Sequence, residues 1–191
     1  MSAHRSYNAG VAHRRESRDP TPRIAAALQR GVLAADEVVH LAVPVQRPGT
    51  FGAQLESGVR AGTSGALGTQ VYSTKSDAVD TTGWNRWAAE LVERHGADPQ
   101  AARQAIRLYL ALTDQRILVV RRHYLTGGPR EVLISWPLAD VDRVAVSAAR
   151  QALTLTRGEA ELRLELPKSL KHLPAVYREL PKALERLRRA G

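Results

Sequence analysis

The chain has 191 residues, a formal net charge of +9 and a pI near 10.6. This length suits one domain with extensions or two small domains. The complete lack of cysteine excludes a disulfide framework, a thiolate metal site and a cysteine nucleophile.

No stretch of the sequence reaches the roughly 20 apolar residues that a membrane-spanning helix needs. The N-terminal segment has no apolar core of the kind that a secretory signal contains. We therefore expect a cytoplasmic protein. The abundance of Ala and Arg, with few Lys outside the C-terminus, is typical of a bacterial genome rich in G and C.

Residues 1–20 mix Arg, His, Ser and Asp without periodicity, which predicts a disordered basic arm. The domain proper is expected over residues 21–191. Thr21 and Pro22 have the character of an N-cap and a first helical residue, and Gly31 is expected to end this helix. The β-branched run from Glu37 to Val45 then predicts a strand, with Pro44 at a sheet edge or a strand end.

The segment 46–105 is expected to be an insertion between the first two strands. Its first part, to about residue 83, is rich in Gly, Ser and Thr and too poor in apolar residues for a core. An amphipathic helix follows from Trp84 to His95, since Trp84, Trp87 and Leu91 share one face. Asp98 and Pro99 then open a second, short helix.

After the insertion, the hydrophobic period changes from 3.6 to 2, which predicts six further strands in an antiparallel meander. The strands are expected at 106–112, 117–124, 131–136, 141–147, 152–156 and 161–166. A Leu-rich amphipathic helix follows from Leu170 to Leu187. Pro174 and Pro181 each lack an amide proton, so we expect a start or a kink at each.

The stretch LALTDQRILVV, Leu110 to Val120, interrupts an apolar run with Thr113, Asp114, Gln115 and Arg116. A structural interpretation is a tight hairpin, in which Thr113 and Asp114 bond turn amides and Arg116 pairs with Asp114 or reaches across the fold. The functional alternative is that Asp114 and Arg116 bind a ligand.

LALTDQRILVV resembles the L-x-x-T-x-x-R-L hairpin of bacterial pleckstrin-homology-like (PH-like) and GRAM-like domains. VLISWPLADVDRVAV, Val132 to Val146, is similar to the strand-turn-strand that follows this hairpin. The resemblance implies an α+β, mainly β fold: a seven-stranded antiparallel PH-like barrel capped by a C-terminal helix. Since the insertion at 46–105 has no Lys-x-Arg cluster, the resemblance does not extend to phosphoinositide binding.

We find no constellation of catalytic, cofactor-binding or metal-binding residues. The six histidines are scattered, and the sequence has neither a nucleophile elbow nor a phosphate-binding loop. We therefore expect a protein that is not an enzyme and that holds no cofactor and no metal.

Two groups of residues are candidates for binding. The first is a set of C-terminal cations, which either contact an anionic membrane or simply form a solvated helix face: Lys168, Lys171, Lys182, Arg186, Arg188 and Arg189. The second is the helix with Trp84, Trp87 and Leu91, which either docks a partner or a membrane interface, or packs on the sheet.

The sequence thus favours a non-catalytic PH-like binding module that docks a protein partner or an anionic membrane surface. We expect it in the cytoplasm, peripheral to the inner face of the membrane. The alternative is a basic nucleic-acid-binding protein, which the pI favours. The strands, however, lack the exposed aromatic residues on which single-stranded nucleic acids stack.

Overall fold

The computed structural model describes residues 19–50, 81–123, 126–167 and 175–190. The predicted arm, most of the Gly-rich segment, Lys168, Lys171 and Pro174 lie outside the described residues, as does the side chain of Trp84. The helices are α1 (Thr21–Leu28), α2 (Thr81–His95), α3 (Pro99–Gln104) and α4 (Ala175–Ala190). The strands are β1 (Val39–Gln46), β2 (Arg107–Thr113), β3 (Arg116–Arg122), β4 (Pro129–Pro137), β5 (Arg143–Ser147), β6 (Ala152–Arg157) and β7 (Ala160–Glu165). A 3-10 turn, Leu138–Asp140, connects β4 to β5.

The fold is α+β, with a seven-stranded antiparallel sheet followed by a C-terminal helix, as the sequence predicts. The strand order is β4-β3-β2-β1-β7-β6-β5. Neighbouring strands along the chain pair with each other, except at the 3-10 turn, and β1 joins the two halves of the sheet. The end strands β4 and β5 do not pair with each other, so the sheet is open.

The two halves of the sheet meet at a single residue pair, Gln46 of β1 and Glu165 of β7. The Glu165 carboxylate also accepts a 2.7 Å hydrogen bond from the amide of Gly49, in the turn that follows β1. Gly49 has φ 81°, a left-handed conformation that glycine adopts without strain. Both strands end at this pair, so β1 presents an unpaired backbone edge on one side of it and β7 presents one on the other side.

We call these two unpaired edges, residues 39–45 of β1 and 160–164 of β7, together with the pair between them, the seam. Side chains of three helices hydrogen-bond to backbone groups along it. Along β1, the Thr21 hydroxyl of α1 bonds both the amide and the carbonyl of Ala42, at 3.0 and 3.2 Å. The Tyr177 hydroxyl of α4 donates to the Pro44 carbonyl at 2.5 Å. Along β7, the Trp87 indole of α2 donates to the Arg163 carbonyl at 3.3 Å. Backbone groups that leave the sheet ladder are therefore still hydrogen-bonded.

One sequence prediction needs correction at the seam, and another needs refinement. Thr21 is not the N-cap of α1: Pro20 occupies that position, and the Thr21 hydroxyl is used by Ala42 instead. Strand β1 lies inside the sheet order, but it pairs with β7 only at Gln46, so Pro44 itself lies on a local unpaired edge of a central strand. Proline is tolerated there because its missing amide faces the seam, where β7 has no donor or acceptor to match it.

Strand β2 is buried on both faces, which explains its almost continuous apolar sequence. Its inner face carries Leu108, Leu110 and Leu112, within the main core between the two sheet halves and α4. Its outer face carries Tyr109 and Ala111, in a second cluster beneath α1. Helix α1 thus forms an extra layer on β1, β2 and β3, whereas β6 keeps a partly exposed outer face.

The Thr113–Arg116 interruption is a tight hairpin, as predicted. Thr113 Oγ1 accepts hydrogen bonds from the amides of Gln115 and Arg116, at 3.2 and 2.9 Å. Arg116, however, does not pair with Asp114: its guanidinium binds Glu37 through two hydrogen bonds of 2.9 and 2.7 Å. Asp114 accepts from the amide of Val38 at 3.0 Å. Both side chains therefore hold the segment before β1 against the hairpin.

The Glu37 side chain is fully buried, while that of Arg116 is 30% exposed. Besides Arg116, the carboxylate accepts from the Thr113 hydroxyl at 2.8 Å and from the Ala34 amide at 3.2 Å. The hydrogen bonds from Arg116 lower the pKa of Glu37 below its ordinary value of 4.5 and outweigh the opposing effect of burial.

We predict that Glu37→Gln lowers the free energy of unfolding by about 2–3 kcal/mol, because it removes the charge of a fully buried carboxylate that accepts from Arg116, Thr113 and the Ala34 amide, and turns an NH2 group towards these donors. Urea denaturation at pH 7 measures this change. The control is Glu131→Gln, which breaks a similar two-bond pair with Arg121. Although Arg121 lowers the pKa of Glu131 to about 2, the Glu131 side chain is 48% exposed. We expect a loss below about 1 kcal/mol there.

The same pair predicts a pH dependence. A carboxyl whose folded-state pKa is lowered stabilises the fold fully above its unfolded pKa, and this contribution disappears as the pH falls through the folded-state value. Wild-type stability should therefore fall below about pH 4.5 more steeply than that of Glu37→Gln. Parallel slopes for the two proteins would contradict the role assigned to Glu37.

Candidate functional site

A groove of about 350 Å³ runs between β5 and α4. Residues 142–146 form one wall, and Pro181, Leu184, Glu185 and Arg188 of α4 form the other. Adjacent side chains of a strand point to opposite faces, so five consecutive residues can line one groove only along the edge of the strand. The sheet order agrees with this geometry, since β5 is a terminal strand.

Helix α4 is held in place by its apolar face and by two polar contacts. Tyr177, Leu180 and Leu184 are buried in the main core. Tyr177 bonds β1 at the seam, and burial raises the pKa of its hydroxyl. Near the other end of the helix, Arg188 Nη1 donates to the carbonyl of Asp142 at 3.3 Å. The groove lies on the flank of α4 between these attachments.

Pro181 lies inside α4, which begins at Ala175 and continues through the proline. The sequence predicted a start or a kink at this position. Proline cannot donate to the carbonyl four residues earlier, so the helix has one backbone hydrogen bond fewer where Pro181 meets the groove. Its ring then forms part of the groove wall.

Charged groups of both signs surround the groove. Arg143, Glu185 and Arg188 are exposed. The Asp142 carboxylate, in contrast, accepts a 2.6 Å hydrogen bond from the Gly158 amide in the β6–β7 turn, so it serves that turn. Arg143 has no ion pair within the described ranges. The groove therefore offers an apolar floor, an exposed backbone edge and a rim with an available guanidinium.

The predicted C-terminal cations divide between two surfaces of α4. Lys182, Arg186 and Arg189 are exposed on the side opposite the buried residues, with Arg178, at helical spacing. We call these four residues the basic face. Lys182 pairs there with Glu179 at 3.0 Å. Arg188 instead turns to the groove, and Lys168 and Lys171 lie outside the described residues.

The predicted interface helix places two of its three candidates in the core. Trp87 is 6% exposed and Leu91 is fully buried, and both pack in the main core. The structure thus favours the packing alternative for these side chains, and it assigns the Trp87 indole to the seam. The Trp84 side chain lies outside the described residues.

Sequence reasoning did not find Arg143, Val144 and Val146 as candidate site residues. The sequence RVAVS is typical of an ordinary strand, and it contains no signal that this strand lies at the end of the sheet. A signal was available in Pro181, which marks where α4 has fewer backbone hydrogen bonds.

Among the described residues, no cluster of His, Cys, Asp and Glu could hold a metal ion. None of the described helices has the length and apolar character needed to span a bilayer. No known family model matches the chain, and a search of curated proteins also gives no match.

We predict that Tyr177→Phe lowers the free energy of unfolding by about 1–2 kcal/mol, because the Pro44 carbonyl loses its donor at the seam while the ring is kept. Urea denaturation measures the loss. The substitution should also increase the rate of hydrogen exchange more in α4 than in β3, since α4 makes this contact and β3 does not. An unchanged exchange rate in α4 would show that the hydroxyl does not hold the helix.

Proposed function

We propose that this protein is a non-catalytic PH-like binding module that docks a protein partner in the groove between β5 and α4. The hairpin at Thr113–Arg116, the strand order and the final helix support the PH-like assignment. The strands β1–β4 and β5–β7 form two halves of the open sheet that meet at Gln46 and Glu165, as the two halves of a PH-like barrel would. Helix α4 contacts β5, β1 and the 3-10 turn, as a helix that covers an open side of such a barrel does.

The observation that carries the proposal is the combination of an apolar groove and a strand edge. Val144 and Leu184 are buried residues of the core that also line the groove, so its floor is continuous with the main core. Apolar concave sites with a few polar groups at their rim are typical of binding sites. Here the rim is provided by Arg143, Glu185 and Arg188.

A peptide selection tests this proposal. Peptides selected from a random display library on the immobilised protein are measured by fluorescence anisotropy against the Ala145→Cys variant. Because the chain has no cysteine, this thiol alone can be modified with a bulky maleimide. We expect binding to the unmodified variant and its loss after modification, since Ala145 lies at the groove.

The control for this selection is Ala26→Cys, an exposed position on α1, modified in the same way. Its modification should leave peptide binding unchanged. Peptides that still bind after modification at residue 145, or a selection that yields no binder, would refute the groove as a docking site.

The basic face of α4 favours a second candidate function, contact with an anionic membrane surface. Arg178, Arg186 and Arg189 are exposed and make no ion pair within the part of the chain that the structure describes. Each cation near an anionic bilayer contributes about 1 kcal/mol. This face points away from the core and needs no rearrangement of the fold to meet a flat surface.

For the membrane candidate, we predict that the protein floats with vesicles of phosphatidylglycerol and phosphatidylcholine but not with phosphatidylcholine alone. The double variant Arg186→Gln, Arg189→Gln should bind roughly thirtyfold more weakly, corresponding to about 2 kcal/mol for two cations. The control Arg23→Gln, Arg30→Gln removes the same charge from exposed positions on α1 and in the turn that follows it. Equal binding of the two double variants would exclude a specific role for the basic face.

A further inference from the structure

The β6–β7 hairpin closes with the pair Arg157 and Ala160, so alternate residues of β6 direct their backbone groups either to β7 or to β5. Those that face β5 are Thr156, Thr154 and Ala152, which pair with Arg143, Ala145 and Ser147. Backbone N–H and C=O groups alternate between the two sides of a strand. The groups of Val144 and Val146 therefore point away from β6, to the same side as the Asp142 carbonyl that accepts from Arg188, into the groove. In the described part of the chain, no residue forms a hydrogen bond with them on that side.

The other end of the sheet is protected against pairing, and β5 is not. Strand β4 begins and ends with proline, at Pro129 and Pro137, and its register with β3 is irregular at two places. Prolines and bulges are common devices that prevent an edge strand from pairing with another chain. Strand β5 has no proline, and its register with β6 is regular.

We infer that an extended segment of the protein partner adds to β5 as a further antiparallel or parallel strand of the sheet. This inference rests on the proposed function and specifies its mode. The backbone groups of Val144 and Val146 would then find the partners that any strand inside a sheet has. The five residues of β5 span about 17 Å, which sets the length of the paired segment.

The side chains along the groove define the chemistry of this segment. Val144 and Val146 point inward, so the residues beside them on an added strand meet Leu184 and Pro181 and should be apolar. The alternate residues lie on the outer face beside Arg143, which has no ion pair within the described ranges. The partner is therefore an extended peptide in which apolar and acidic residues alternate.

Val146→Pro tests the strand pairing, with Val146→Ala as its matched control. Both substitutions shorten the side chain, but only proline removes the amide that points into the groove, and the bonds between β5 and β6 use other residues. The probe is an acetylated and amidated eight-residue peptide in which valine alternates with glutamate. We expect binding to fall about tenfold with Val146→Pro relative to Val146→Ala, because a backbone acceptor of the peptide is left unpaired.

Two variants of the probe make the test independent of whether the proline protein folds. A peptide with lysine in place of glutamate should bind at least about tenfold more weakly to the wild type, since it places cations beside Arg143. A peptide with N-methyl groups on two adjacent central residues blocks both of its edges and should not bind. Equal binding of the N-methylated and unmodified peptides would overturn strand addition.

The outcomes separate this inference from the proposed function. If selected peptides lose binding on modification at residue 145 but bind Val146→Pro and Val146→Ala equally, the groove docks a partner without strand addition. If modification has no effect, the groove is not the site and both proposals fail. Sedimentation analysis at micromolar concentration adds one more outcome: a dimer that Val146→Pro dissociates would show that a second copy of the chain, not an acidic peptide, occupies the edge.

Discussion

Strands β1 and β7 meet only at their last residues, Gln46 and Glu165, and from this pair β1 extends in one direction and β7 in the other, each without the other as a partner. An unpaired strand edge inside a protein needs hydrogen-bonding partners, and three helices provide them through Thr21, Tyr177 and Trp87. Each of these side chains is also buried, so its hydrogen bond fixes where its helix lies on the sheet. The short overlap of two strands thus accounts for the positions of α1, α2 and α4.

The groove is a consequence of the same constraint. Helix α4 is hydrogen-bonded to β1 through Tyr177, whereas its last turns hydrogen-bond to the backbone of Asp142, the residue just before β5. A helix that is anchored at the seam and runs towards the 3-10 turn passes beside β5 without bonding its edge. The backbone of Val144 and Val146 therefore remains available, and the residues that stabilise the fold also shape the surface to which a partner is proposed to bind.

The sequence predicts the helices and strands well, because alternation, capping residues and turn residues are local signals. The Asp98 cap and the Thr113 hairpin are examples, since each depends on residues within three positions. Tertiary contacts are harder to predict from the sequence, because they join residues that are far apart along the chain. The partner of Arg116 is Glu37, far away in the sequence, and the role of Thr21 depends on where α1 packs. The second apolar layer under α1 was signalled only by the continuous apolar run in β2, which also fits one-sided burial.

The net charge of the sequence alone does not identify a partner, because the fold uses some cations in ion pairs and places the others on different surfaces. Arg116 and Arg121 are used in ion pairs with Glu37 and Glu131, and Lys182 pairs within its own helix. What remains on α4 is divided between the basic face and Arg188 at the groove. Because these surfaces lie on different sides of one helix, an anionic surface bound to the basic face would leave the β5 edge free, and a peptide in the groove would leave the basic face free. The two candidate functions are thus compatible on the same molecule, and variants at residues 186 and 189 affect one of them while variants at residue 146 affect the other.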